Sequence, residues 1–293
     1  MTDDVNAGDL NPDDINMDQI EFWNGDHGSA WARYAEIVDV MFADITDAVL
    51  TAAAINVGDR VLDLGCGNGG TTLAAAEKVT PIGSVTAIDI SAPMLERAQE
   101  RADAARLVNV TFVLGDASIY PFAERSFDAM VSRLGAMFFE DPEATFRRMA
   151  PALDSGGRIA LGVWRGPREN LWAMGPVAAA KEFLEMPPRP GPEDPGPFSF
   201  ADPDRVRSVL GGAGLTDIEL TPLDFQIPLG RTLEEALNFV MEMGPLSAPL
   251  STVTGDNRKK AIAAITNVLK ENTGEDGIAR LAGACWIITA RAP

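Results

Sequence analysis

The sequence predicts an α/β fold, a mostly parallel sheet covered by helices on both faces. Three observations carry that prediction. Between Arg60 and Trp164 short apolar runs alternate with amphipathic stretches, the pattern of successive βαβ units. The first apolar run ends in Gly65-Cys66-Gly67-Asn68-Gly69-Gly70, a turn whose glycines let the backbone approach a ligand and whose following helix offers free N–H groups. Finally, 46% hydrophobic residues over 293 positions suffice for one large decorated core.

In chain order, residues 1–17 read as an Asp- and Asn-rich tail. Residues 18–57 hold a glycine-bearing segment and then one helix from Ser29 to Ile55, with apolar residues at three- and four-residue steps and Ser29 as its cap. Residues 58–164 form the repeating core. Arg60–Leu64, Ser84–Ile90, Val110–Leu114, Phe127–Leu134 and Arg158–Trp164 are strands. Gly69–Val79, Ala92–Leu107 and Pro142–Leu153 are the helices between them. After Trp164 the rhythm changes. Residues 165–248 read as an insert with a helix over Asn170–Met186, a stiff Pro/Gly loop from Pro187 to Pro197, a helix over Asp202–Gly211, a sixth strand over Leu215–Pro228 and a helix over Leu233–Met243. Residues 249–293 add a helix over Arg258–Leu269 and a last strand over Cys285–Ala290.

The chain has 24 basic and 43 acidic residues, a net charge of −19. Such a surface repels polyphosphates, which argues against nucleic acid and anionic membranes as partners and tolerates a cationic ligand. No apolar run is long enough to span a bilayer, and the start lacks a signal-peptide pattern. Cys66 and Cys285 show neither disulfide nor metal spacing. A cytoplasmic protein without a metal is the expectation; a homodimer stays open.

Gly65, Gly67 and Gly70 alone also fit a dinucleotide-binding turn. Three carboxylates refine the choice. Asp63 lies two residues before Gly65, where its charge disfavours a pyrophosphate and suits a cationic ligand. Asp89 ends the second strand and can accept two ribose hydroxyls. Asp116, in Leu114-Gly115-Asp116-Ala117, can accept from an adenine amino group.

With these residues in place, Val61–Gly67, Asp89–Leu95, Gly115-Asp116-Ala117 and Ser126-Phe127-Asp128 with Ser132-Arg133 together resemble the four motifs of class I S-adenosylmethionine (SAM)-dependent methyltransferases, in the branch of the ubiquinone/menaquinone-type small-molecule enzymes. The resemblance implies a Rossmann-like seven-stranded sheet of order 3-2-1-4-5-7-6 with an antiparallel last strand. It implies SAM as cofactor and S-adenosylhomocysteine (SAH) as product. It places Gly65, Cys66 and Gly67 around the methionine portion with Asp63 nearby. It puts Asp89 on the ribose, Ile90 on the adenine ring, Asp116 and Ala117 at the adenine edge, and Ser132 and Arg133 near the sulfonium. A SAM-binding protein with cyclase- or decarboxylase-like chemistry and a nicotinamide-dependent oxidoreductase are the alternatives.

Methyl transfer needs alignment and exclusion of water, and a base only where the acceptor must lose a proton. No motif marks a base. The single histidine, His27, is the candidate, with Arg133 as a second group at the substrate mouth. His27 lies in Trp23-Asn24-Gly25-Asp26-His27-Gly28, part of a helical N-terminal lid read as a flap over the cofactor; a permanently docked arm is the rival. Trp23, Trp31, Trp164 and Trp172 are candidate lid and substrate contacts. The apolar insert, with Trp172, Met174, Phe183, Phe198, Phe200, Phe239, Met241 and Met243, is read as a cap over a partly apolar small molecule.

Overall fold

The computed structural model describes residues 16–188 and 190–293. The acidic tail read over residues 1–17 lies almost wholly outside them. Helices α1 (Met17–Asn24), α2 (Asp26–Arg33), α3 (Ala35–Met41) and α4 (Ala43–Ala52) precede the sheet. The core follows as β1 (Arg60–Leu64), α5 (Gly70–Val79), β2 (Ser84–Asp89), α6 (Ala92–Ala104), β3 (Val110–Leu114), β4 (Phe127–Arg133), α7 (Pro142–Met149) and β5 (Leu153–Trp164). Then come α8 (Leu171–Ala180), α9 (Pro203–Gly212), β6 (Thr216–Pro228), α10 (Leu233–Met243), α11 (Ser247–Thr252), α12 (Gly255–Glu271) and β7 (Arg280–Arg291).

The seven strands form one sheet in the order β3-β2-β1-β4-β5-β7-β6. The first five run parallel; β7 lies antiparallel between β5 and β6, with Gly162 opposite Ile287 and Leu223 opposite Cys285. This is the predicted topology. The central strands are apolar throughout because both faces are covered; Val61, Leu62 and Leu64 of β1 are wholly buried.

The differences are local. The helix expected from Ser29 to Ile55 is three helices, and helix already begins at Asp26, so Ser29 is not its cap. The backbone leaves the α region at Tyr34 (φ −94°, ψ 15°) and Phe42 (φ −114°, ψ 19°). Phe42 is buried at the second break, edge-on to Trp164 and Trp172 at ring distances of 5.5 and 5.8 Å. A three-and-four periodicity survives such breaks because the apolar face stays on one side, so it does not reveal them. Residues 18–28, expected as part of a helical lid, are helical apart from the turn at Gly25. The helix read over Pro142–Leu153 stops at Met149, and β5 starts at Leu153, ahead of the Ser155-Gly156-Gly157 break. Helix α11 was not foreseen.

Candidate functional site

A cavity of about 470 Å³ opens at the carboxyl ends of β1, β2, β3 and β4, the place where open α/β sheets bind ligands. Its floor is the turn after β1. Gly65 and Gly67 have φ of +61° and +52°, and a Cβ on Gly65 would stand 2.9 Å from Gly135 Cα. Only glycine gives that turn its left-handed backbone and lets the β4–α7 connection lie against it.

Asp89, at the end of β2, is buried beside this turn. Its Oδ2 accepts from Gly67 N–H at 2.7 Å and its Oδ1 from Ser91 N–H at 2.8 Å. Burial pushes its carboxyl above the usual range, opposed by these backbone donors. Each oxygen keeps a lone pair for a further donor. Asp116, past the end of β3, accepts from Ser118 N–H at 2.8 Å. Ile90, Cys66, Gly115 and Ala117 also line the cavity. Burial, then the charges of Asp89 and Asp63, hold the Cys66 thiol well above its ordinary value, so it is a neutral wall atom.

At the other end the lining is apolar: Phe42, Met137, Phe138, Trp164, Met243 and Pro245. Among the described residues Arg133 is the one cationic side chain there. It donates to Thr46 Oγ1 at 3.0 Å, pairs with Asp39 at 3.5 Å and stands 6.0 Å from the centre of the Phe42 ring. Its burial pulls the guanidinium down, countered by Asp39 and Asp63.

Helices α1 and α2 close one side. Trp23, His27 and Trp31 face the cavity. Trp31 Nε1 donates to His27 Nε2 at 2.9 Å, and the imidazole lies 4.3 Å from the Phe22 ring and 5.1 Å from Trp23. In this apolar setting burial lowers the histidine to about 4, leaving it neutral with Nε2 already occupied. The wall is stitched to the core loops. Asn24 Nδ2 donates to Ile90 O at 2.8 Å, Ala92 N–H donates to Asn24 Oδ1 at 2.9 Å, Ser91 Oγ donates to Trp23 O at 2.7 Å, and Asn68 Nδ2 donates to Trp31 O at 2.8 Å.

Three candidate residues stand outside the cavity lining. Asp63 is wholly buried; its Oδ2 accepts from Thr72 Oγ1 at 2.6 Å while Oδ1 has no partner among the described residues, and burial raises it to about 7. That hydrogen bond runs to α5, and Asp63 does not form part of the cavity wall. Ser132 is likewise internal: its hydroxyl donates to Leu64 O at 2.8 Å and accepts from Ala136 N–H at 3.2 Å. Trp172 packs behind Trp164 at 5.1 Å. Of the large apolar residues named for the insert, Met243 reaches the cavity, joined there by Pro197, Pro245 and Ala248, whereas Phe200 and Phe239 are core.

Sequence reasoning also missed Asn16, Gln19, Phe138 and, beyond Met243, the lining residues Gly244, Pro245, Ser247 and Ala248. None lies in a recognisable motif. The signal at hand was the pair of glycines, Gly25 and Gly28, between Trp23 and Trp31, which marked the wall without saying what it touched.

A seven-stranded sheet with β7 reversed inside its edge, a glycine turn after β1 and carboxylates ending β2 and following β3 define the class I SAM-dependent methyltransferase architecture. The residues fit that cofactor: Asp89 retains acceptor capacity beside an open glycine cradle, and Asp116 lies a strand away. The methyltransferase domain family matches residues 61–157. Aklanonic acid methyltransferase DauC of a Streptomyces species is 37% identical over 131 residues, which are 45% of this chain and 54% of that one, so the chain spans about half of that relative's length. Nocamycin O-methyltransferase of Saccharothrix syringae is 32% identical over 207 residues, covering 67% of this chain and 74% of that one. Phosphoethanolamine N-methyltransferase 2 of Haemonchus contortus, solved with SAM, shares the fold at TM-score 0.55 and 19% identity, covering 93% of this chain and 59% of that one. The chain belongs to the class I SAM-dependent methyltransferases.

Proposed function

We propose that this chain transfers the methyl group of SAM to a small, partly apolar molecule. The observation that carries the reading is the continuity of one cavity from Asp89 and Asp116 to the aromatic end at Phe42, Phe138 and Trp164. Asp89 would hold the ribose hydroxyls, Asp116 and Ala117 the adenine edge, Ile90 the adenine ring, and Gly65, Cys66 and Gly67 the methionine portion. When bound, SAM supplies a methyl group activated by its sulfonium. The chain's own work is then to seat the acceptor against that group and to keep water out. Trp23 and Trp31 form the wall that excludes water. Met243 and Pro245 cover the apolar end, which suits a flat hydrocarbon body.

His27, neutral and engaged by Trp31, is placed to orient the acceptor rather than to take a proton as a strong base. The names of the two relatives, one acting on an organic acid and one an O-methyltransferase, support an oxygen acceptor. Incubation with SAM and a panel of aromatic acids, phenols and amines, read by mass spectrometry, should give SAH together with a product 14 Da heavier. Tight SAM binding with no SAH formed across the panel would instead favour non-methylating chemistry.

A further inference from the structure

We propose that Asn16 sets base specificity at the nucleotide end of the cavity: by clamping Asp116 it makes that carboxylate select a 6-amino purine over a 6-oxo purine. The inference rests on the SAM reading above and names a residue outside every motif. Asn16 immediately precedes α1, is 6% exposed, and lines the cavity with Asp116 and Ala117. Its Nδ2 donates to Asp116 Oδ2 at 2.9 Å and reaches Ser118 Oγ at 3.5 Å, while its Oδ1 accepts from Glu140 N–H at 3.0 Å. The amide can stand only one way round. Turned over, it would set its oxygen against a carboxylate and its NH₂ against an N–H.

A carboxylate ordinarily turns freely about its last torsion. Asp116 cannot, because Ser118 N–H holds Oδ1 and Asn16 holds Oδ2. Each oxygen keeps one lone pair, in a fixed plane, at the cavity wall. A 6-amino group donates into that arrangement. A 6-oxo group would set an acceptor against acceptor oxygens in a site that is only 3% exposed at Asp116, and buried polar mismatches of this kind are rejected strongly. Without Asn16 the carboxylate would relax, and the amino and oxo purines would be treated more alike. The clamp also ties the end of the α1 wall to the base subsite, so that docking of the wall and binding of the base reinforce each other.

The test is calorimetric titration of the wild type, Asn16→Ala and Asn16→Asp with SAH and with S-inosylhomocysteine, its 6-oxo counterpart. Thermal melts confirm that each variant is folded. The wild type should prefer SAH by roughly a hundredfold. Asn16→Ala should lose roughly tenfold in SAH affinity with little change for the inosyl compound, so that the preference shrinks. Asn16→Asp keeps the size but loses the donor, and should lose the preference as well. Equal losses for both ligands in Asn16→Ala would reduce Asn16 to a piece of wall and overturn the proposal. So would tighter SAH binding, which would mean that the amide competes with the base for Asp116. A wild type that binds both ligands alike, or neither, would show instead that the SAM reading beneath the proposal has misplaced the base.

Discussion

Burial decides what each polar side chain at the site can do. Asp89 lines the cavity and is held by two backbone donors that oppose the upward push of burial on its carboxyl, so it is the strongest candidate for the ribose. Asp89→Ala should weaken SAH binding by roughly tenfold or more, a loss of about 1.5–3 kcal/mol measurable by calorimetry. An unchanged dissociation constant would move the ribose elsewhere. His27 makes a second prediction. Its folded value of about 4 lies below the ordinary 6.5, because the aromatic cage disfavours the imidazolium. Its contribution to stability is therefore complete above pH 6.5 and is lost as the pH falls towards 4. The residue is half-buried, so solvent screening cuts the loss to about 1–2 kcal/mol rather than the full shift. Denaturant titrations from pH 7 to pH 4 should show that slope in the wild type and a flatter one in His27→Phe. Asp89 and Asp116 were legible in the sequence because strand ends in βαβ units are periodic and a carboxylate there stands out. Asn16 was not, since it lies in a stretch of Asp and Asn with no period to read.

The elements were legible to the extent that each carries its own period. The strand order followed from the motif resemblance, and the central strands from their apolar runs. The breaks at Tyr34 and Phe42 were not legible, because they answer to tertiary packing around Phe42 and not to local propensity. The same holds for α1 and α2. Their glycines read as hinges, yet Gly28 is a packing residue: a Cβ there would stand 1.8 Å from Trp23 O. Gly28→Ala should therefore prise α1 from α2, lowering stability by about 1–3 kcal/mol and weakening SAH binding along with it. A melting temperature and dissociation constant equal to wild type would show that α1 has room to shift. The bonds from Asn24, Ser91 and Asn68 favour a wall that stays docked over a flap that closes late. Hydrogen exchange across residues 20–28 should be slow without ligand and change little on adding SAH. Fast exchange that slows on binding would restore the flap.

At the scale of the whole molecule the dominant quantity is the net charge of −19. It is too diffuse to specify a fold, but it creates a field at the cavity mouth, and the two forms of the cofactor feel that field differently. SAM carries a sulfonium and an ammonium against one carboxylate, a net positive charge; SAH has lost the sulfonium charge and is neutral overall. An acidic surface therefore speeds the approach of the substrate form and leaves the product form alone, and salt screens the effect over about 10 Å at 0.1 M. Arg133 opposes this locally, but Asp39 and Thr46 already engage it, so the outer field should win. Trp23 and Trp31 line the cavity and provide the signal for stopped-flow fluorescence. Raising NaCl from 0.02 to 0.5 M should slow SAM association roughly two- to fivefold and leave SAH association nearly constant, with dissociation rates little changed. If both ligands slow equally, the acidity serves solubility alone. If neither slows, the field does not reach the cavity, and discrimination between the two forms rests on the local carboxylates.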